Sequence, residues 1–107
     1  MKPQIAKCKK IILDCLDEEL LSGVECIYLF GSRARGDAEE RSDIDIAIFC
    51  PDKDKAAWFA LLAAIEQAET LLEIDVVNFS EAAQTLQQRI LDEGIKIYDA
   101  SEISTKS

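Results

Sequence analysis

The apolar residues of this chain recur with two different periods. Apolar side chains three and four positions apart predict helices over 4–22, 54–72 and 81–93. Short apolar runs, either continuous or alternating, predict strands over 25–30, 42–50, 73–79 and 95–98. Helices and strands therefore alternate along the chain, which predicts an α/β fold with a mixed β-sheet flanked by helices. A length of 107 residues suits a single minimal domain.

Glycine and serine mark the ends of several of these elements. Gly23 and Gly94 predict the ends of the first and last helices, and Ser80 predicts the N-cap of the helix over 81–93. The strand over 95–98 is expected at an edge of the sheet. Residues 100–107 are small and polar, which predicts a flexible C-terminal tail.

The strand over 42–50 has two chemically different faces. Alternate side chains of a strand project to opposite sides of the sheet. One side of this strand carries Ile44, Ile46 and Ile48. The other side carries Asp43, Asp45, Ala47 and Phe49. The apolar side is expected to face the core, and the mixed side is a candidate for chemistry.

Two carboxylates on the mixed side predict a cation site. Asp43 and Asp45 lie roughly 7 Å apart along the strand, close enough to repel unless a cation lies between them. A hard divalent ion is the natural partner of two such carboxylates, and magnesium is the best match. Asp75 lies within the strand over 73–79 and would join this site if the two strands are neighbours. Taken singly, Asp43 is better explained as a solvated turn residue, and Asp75 is equally well explained as an exposed edge residue.

A Gly-Ser pair follows the first predicted strand. Gly31 lets the backbone approach a ligand closely, and Ser32 offers a hydroxyl and the N–H groups of a helix start to a phosphate. Arg33 and Arg35 are placed where a guanidinium could reach a triphosphate. The alternative is an ordinary turn with an N-cap.

Charge and composition narrow the classes of function. Twelve basic residues face 21 acidic ones, which gives a net charge of −9. Such acidity disfavours binding to long nucleic acids, because that binding neutralises many phosphates. The absence of histidine excludes His-dependent bases, nucleophilic triads and His-ligated zinc.

Cysteine spacing and the lack of long apolar runs indicate the cellular compartment of the chain. The four cysteines form no CxxC pair, which favours buried thiols in a reducing compartment. No apolar run approaches membrane-spanning length, and the N-terminus lacks the apolar core of a signal peptide. We therefore expect a cytoplasmic protein without membrane contact.

The spacing of these motifs resembles that of a known superfamily. Gly31-Ser32, ten further residues and then Asp43-Ile44-Asp45 resemble the signature of the nucleotidyltransferases related to DNA polymerase beta. The stretch "FGSRARGDAEERSDIDIAIF" is most similar to the minimal nucleotidyltransferases of that superfamily. The resemblance implies a nucleotidyltransferase domain over 1–99, with the polymerase-beta-like fold.

The resemblance also implies roles for the candidate residues. Asp43, Asp45 and Asp75 would be the catalytic acids and would ligate two Mg²⁺ ions. The phosphates of ATP, the implied substrate, would be bound by Gly31, Ser32, Arg33 and Arg35. The reaction would then be an in-line attack on the α-phosphorus, which needs positioning and charge stabilisation rather than histidine.

Relatives of this type are antitoxins of HEPN-domain toxins, which are helical ribonuclease-like proteins. The resemblance implies a hetero-oligomer in which the chain transfers AMP to a tyrosine of its toxin, and an acidic surface suits a basic partner. Two alternatives stay open. The chain could neutralise its partner by occlusion without catalysis, or it could transfer a nucleotide to a small molecule.

Overall fold

The computed structural model describes residues 3–31, 34, 43–50 and 55–101. The elements, in chain order, are α1 (Pro3–Asp14), α2 (Glu18–Leu21), β1 (Cys26–Phe30), β2 (Ile44–Phe49), α3 (Lys55–Glu66), β3 (Ile74–Asn78), a 3-10 turn (Phe79–Glu81), α4 (Gln84–Glu93) and β4 (Ile95–Asp99). Every predicted strand is present, with bounds that differ by one or two residues from the prediction. Most of the predicted tail, at 102–107, lies outside the described residues.

The strands form one four-stranded sheet in the order β3-β2-β1-β4. β1 is antiparallel to both β2 and β4, whereas β2 is parallel to β3. The predicted mixed sheet is therefore confirmed, and β4 lies at an edge as expected. A register shift between Ile27 and Tyr28 marks an irregularity in the pairing of β1 with β4.

One face of the sheet, the core face, packs against α1 and α3. The strand side chains of this core that are fully buried are Ile27, Leu29, Ile44, Ile46, Ile48 and Ile97. They join one cluster with buried residues of the two helices, namely Ile5, Cys8, Ile12, Leu61 and Ile65. Burial of this many branched apolar side chains supplies the main favourable term in folding.

The opposite face, which we call the site face, is covered only in part. It carries Asp45, Ala47 and Phe49 of β2, and their register partners on β1 are Phe30, Tyr28 and Cys26. α4 contacts β1, and its Ile90 is fully buried outside the main core cluster. The Gln87 side chain donates a hydrogen bond of 2.7 Å to the Phe79 carbonyl, which ties α4 to the 3-10 turn.

The prediction of one continuous helix over 4–22 is wrong, because the first helix ends at Asp14 and a second one begins at Glu18. Asp17 caps a separate short helix by accepting a hydrogen bond of 2.8 Å from the Leu20 N–H. An aspartate at this position competes for backbone donors and so favours a new helix start over continuation. The short helix is followed by Ser22 as its C-cap, not by Gly23.

The prediction that Ser80 caps the last helix is also wrong. Ser80 lies inside the 3-10 turn, whose cap is Asn78, and the Asn78 side chain accepts a hydrogen bond of 3.1 Å from the Ser80 N–H. α4 begins at Gln84, four residues after Ser80, and its N-cap residue Ala83 makes no side-chain hydrogen bond to the helix. Gly94 follows α4 as predicted and donates its N–H to the Ile90 carbonyl.

The helix predicted over 54–72 is shorter, because α3 ends at Glu66. Its apolar period continues beyond that residue, but Thr70 accepts a hydrogen bond from the Leu72 N–H in a local turn. Within the described ranges, no helix combines the length and apolar character needed to cross a bilayer.

Candidate active site

Asp45 is the central acid of the site face. It lies inside β2, is half-buried, and has Phe30 as its register partner on β1. Ile44 and Ile46, its neighbours in sequence, are fully buried on the core face. Their burial fixes which side of the strand faces the core, so the Asp45 side chain is held on the opposite face.

Asp75 lies directly beside Asp45 on the next strand. The two residues are register partners in the parallel pairing of β2 with β3, so their Cα atoms lie about 4.8 Å apart and their side chains leave the same face. Asp75 is exposed to solvent. The expectation that the strand of Asp75 neighbours that of Asp45 is therefore confirmed by the register.

Asp43 stands just outside β2 and is exposed. It is two positions before Asp45, and Ile44 pairs with Ile74 on β3, so all three acids belong to one end of the β2–β3 pair. Nevertheless, within the described part of the chain no three His, Cys, Asp or Glu side chains are gathered closely enough to hold a metal ion.

The chemistry of the three acids nevertheless suits a hard divalent cation. Carboxylate oxygens are the preferred ligands of Mg²⁺, and adjacent carboxylates on one face repel unless a positive charge lies between them. The backbone already brings Asp45 and Asp75 to neighbouring positions. The residues that would hold such an ion are Asp43, Asp45 and Asp75.

Gly31 lies against the carboxylate of Asp45. Its φ of +75° is a left-handed conformation that side-chain-bearing residues adopt at a cost. A Cβ at this position would overlap Asp45 Oδ2 and would lie 3.2 Å from Asp45 Cγ. Gly31 thus lets the chain turn out of β1 immediately beside the acid.

This contact was not predicted from the sequence, which suggested a phosphate-binding role for Gly31. The contact depends on the antiparallel register that pairs Phe30 with Asp45, and hydrophobic pattern alone does not set that register across a long connection. Three other candidate residues, Ser32, Arg33 and Arg35, lie outside the described residues.

The far part of the site face carries a compact charged cluster. Lys96 Nζ lies 2.9 Å from Asp99 Oδ2 and 5.8 Å from the centre of the Tyr28 ring. Hydrogen bonds from Ser101 and then Lys96 lower the pKa of Asp99 to about 2, and the same ion pair raises the pKa of Lys96. Its positive charge is thus matched locally.

Comparison with known proteins identifies the family of the chain. Residues 9–103 match the family described as Polymerase beta, Nucleotidyltransferase. The chain belongs to this family.

Its relatives include one curated protein and several solved complexes. The protein adenylyltransferase MntA of Shewanella oneidensis is 30% identical over 80 residues, which are 74% of this chain and 57% of that protein. The chain therefore spans less than two thirds of this curated relative.

Solved structures show the same fold. A chain in a toxin–antitoxin crystal structure with AMP-PNP superposes with a TM-score of 0.58 at 27% identity, covering 92% of this chain and 73% of the other. A chain from the complex of tri-AMPylated Shewanella oneidensis HEPN toxin with MNT antitoxin superposes with a TM-score of 0.64 at 23% identity. The match covers 94% of this chain and 76% of the other. The predicted polymerase-beta-like fold is confirmed.

Proposed function

We propose that this chain is a magnesium-dependent protein adenylyltransferase that transfers AMP from ATP to a tyrosine hydroxyl of a HEPN-domain toxin and so acts as its antitoxin. The observation that carries the proposal is the register of Asp45 with Asp75 on one face of the sheet, next to the turn at Gly31. The curated relative, a protein adenylyltransferase, supports a protein acceptor, and the solved toxin complexes support the partner.

The proposed reaction exchanges the phosphoanhydride bond between the α- and β-phosphates of ATP for a phosphate ester bond to tyrosine. The tyrosine oxygen attacks the α-phosphorus and forms the new O–P bond, while the bond from that phosphorus to the oxygen bridging the α- and β-phosphates breaks. Pyrophosphate leaves with the bonding electron pair. Bound Mg²⁺ would supply charge neutralisation and lower the pKa of the attacking hydroxyl.

The residues of the chain would hold the reactants and accept the proton. Asp43, Asp45 and Asp75 would hold the ions, while Gly31, Ser32, Arg33 and Arg35 would bind the phosphates. Asp75 is exposed, so a proton received from the tyrosine could pass from its carboxylate to water. The four cysteines, all within the described residues, are thiols, which supports a reducing cytoplasmic setting.

The proposal is tested with α-labelled ATP, Mg²⁺ and the purified chain together with its cognate HEPN-domain protein. We expect label on a tyrosine of the HEPN protein, and removal of the divalent ion with a chelator should abolish it. The double substitution Asp43→Asn with Asp45→Asn should lower transfer at least about a hundredfold. Replacing the labelled tyrosine with phenylalanine is the matched control on the acceptor. Absence of label from the HEPN protein, with label on a small molecule when a cell extract is added, would contradict the assigned acceptor.

Occlusion without catalysis is a second candidate, and the lack of a ready three-acid metal arrangement in the described residues favours it. The same double variant separates the two mechanisms. Neutralisation is by occlusion if the wild type transfers no label and if the wild type and the double variant bind the toxin and suppress its ribonuclease activity equally. If suppression is lost together with transfer while the complex still forms, neutralisation is by modification.

A further inference from the structure

An apolar groove opens on the site face beyond the catalytic acids. Its volume is about 230 Å³, and it is lined by Glu25, Cys26, Tyr28, Phe49, Phe79 and Leu91. The rings of Phe49 and Phe79 meet edge to face with centres 5.3 Å apart. Leu91 of α4 contributes an apolar side chain that is 53% exposed. We call this feature the aromatic groove.

The aromatic groove and the candidate active site share one surface. Tyr28 is the register partner of Ala47, and Phe49 follows two positions later on the same face of β2. Phe49 is four residues from Asp45, a distance of about 13 Å along the strand. A polypeptide bound with one residue at Asp45 would therefore reach the groove with a residue three or four positions away.

The size and lining of the groove favour a side-chain anchor over a small molecule. Small-molecule sites usually measure roughly 300–1,000 Å³ and contain several convergent polar groups. The aromatic groove is smaller, and Glu25 is the charged residue in its lining. Interfaces gain most of their binding energy where a large apolar side chain enters such a pocket.

Charge around the groove indicates what flanks that anchor. The chain carries a net charge of −9. Glu25 is in the lining, and exposed Glu81 and Asp92 lie close in sequence to the lining residues Phe79 and Leu91. The nearby Lys96 is matched by Asp99. An apolar anchor flanked by lysine or arginine is complementary to this surface.

We propose that the aromatic groove docks an apolar and basic segment of the acceptor protein, which holds that protein while its tyrosine lies at the acids. This inference rests on the proposed function, because it takes the HEPN-domain protein as the occupant. It assigns the docking surface to residues outside the catalytic acids and the Gly-Ser turn.

Substitution of Leu91 tests the groove, because this side chain is exposed and belongs to none of the catalytic groups. Leu91→Lys removes the apolar contact and places a positive charge against basic flanks. We expect it to weaken binding of the HEPN-domain protein at least about tenfold. Leu91→Glu removes the same contact but adds an attractive charge, so its effect should be smaller than that of Leu91→Lys.

The matched controls are the same substitutions at Leu71, which is fully exposed and lies outside the groove. Leu71→Lys and Leu71→Glu should change the affinity by less than about twofold, since they alter net charge alone. Thermal unfolding of each variant verifies the fold. Equal affinity of Leu91→Lys and wild type, or a larger loss in Leu91→Glu than in Leu91→Lys, would overturn the proposal.

Binding and transfer are measured separately, so that the two proposals fail in different ways. Affinity is measured without nucleotide, and transfer is measured as KM for the HEPN protein and kcat. Leu91→Lys should raise KM with kcat and ATP affinity unchanged. If Leu91→Lys loses binding while the wild type transfers no label, the docking proposal is supported and the proposed adenylyltransferase activity is rejected. If the chain alone forms dimers that Leu91→Lys dissociates, the occupant is a second copy and the docking proposal is rejected.

Discussion

The two faces of strand β2 differ in burial, chemistry and tolerance to change. On the core face, Ile44, Ile46 and Ile48 are fully buried in one cluster with α1 and α3. On the site face, Asp45 and Phe49 are half-buried beside a partly open groove. The contrast shows how one short strand can separate stability from chemistry. The isoleucines fix which face of the strand is turned to the core, and that orientation places the acid on the opposite face.

The largest expected effect lies on the core face. Ile46→Ala should lower the free energy of unfolding by about 2–5 kcal/mol, because it removes a fully buried side chain and leaves a cavity. Denaturant unfolding measures this loss. A total stability of about 5–15 kcal/mol is typical of a domain, so the variant should lie near its unfolding threshold.

β3 offers a matched pair for the same comparison, since Val76 packs against the core and Val77 lies on the site face. Val76→Ala should therefore destabilise the protein more than Val77→Ala. Equal losses for the two valine variants would show that the faces contribute alike, which would break the contrast between them.

A smaller effect is expected at Gly31, where the site face meets the end of β1. Gly31→Ala should destabilise the fold by about 1–2 kcal/mol, since a left-handed φ penalises any Cβ. The added Cβ also displaces the Asp45 carboxylate. Transfer activity should therefore fall more than stability does, as measured by labelling and thermal unfolding in parallel.

The control for Gly31 is Gly23→Ala. Gly31 is the glycine of the described residues with a positive φ, so the change at Gly23 should stay within about 1 kcal/mol. Full transfer activity in Gly31→Ala would mean that the position of Asp45 does not depend on this glycine.

The smallest expected effect is a pH dependence at the edge of the site face. The pKa of Asp99 is lowered to about 2, first by Ser101 and then by Lys96. A carboxyl with a lowered folded-state pKa adds stability above its ordinary pKa of about 4. This contribution is lost as the pH falls from about 4 to about 2.

Asp99→Asn should therefore be less stable than wild type at neutral pH, and the difference should shrink to nothing near pH 2. Thermal midpoints measured across that range test the sign. Ser101→Ala should show part of the same loss, because it removes the strongest hydrogen bond to Asp99. A difference that grows on acidification would contradict the assignment.

The sequence predicted the strands and the two different faces of β2, because both follow from local alternation. Period-2 spacing distinguished Ile44 and Ile46 from Asp45, and burial confirms that division. Helix boundaries were predicted less well. The break after Asp14 depends on one capping hydrogen bond at Asp17, which competes with an unbroken apolar period.

Features set by register could not be read from the sequence. The contact of Gly31 with Asp45 and the aromatic groove both depend on which residues of β1, β2 and the 3-10 turn meet across the sheet. Tyr28 and Phe79 carried no motif, since their importance comes only from their shared surface. The signal that could have suggested the aromatic groove is Leu91, an apolar residue at a helix position outside the apolar stripe.

The parallel pairing of β2 with β3 also affects when the site can form. β1 and β2 pair as antiparallel neighbours, but β3 reaches Asp45 only after the crossover that contains α3 has been completed. Contacts between residues 30 positions apart close a long loop and form slowly compared with local ones. A nascent or partly unfolded chain would therefore hold Asp45 without Asp75 beside it, so the acid pair would form only when β3 docks against β2.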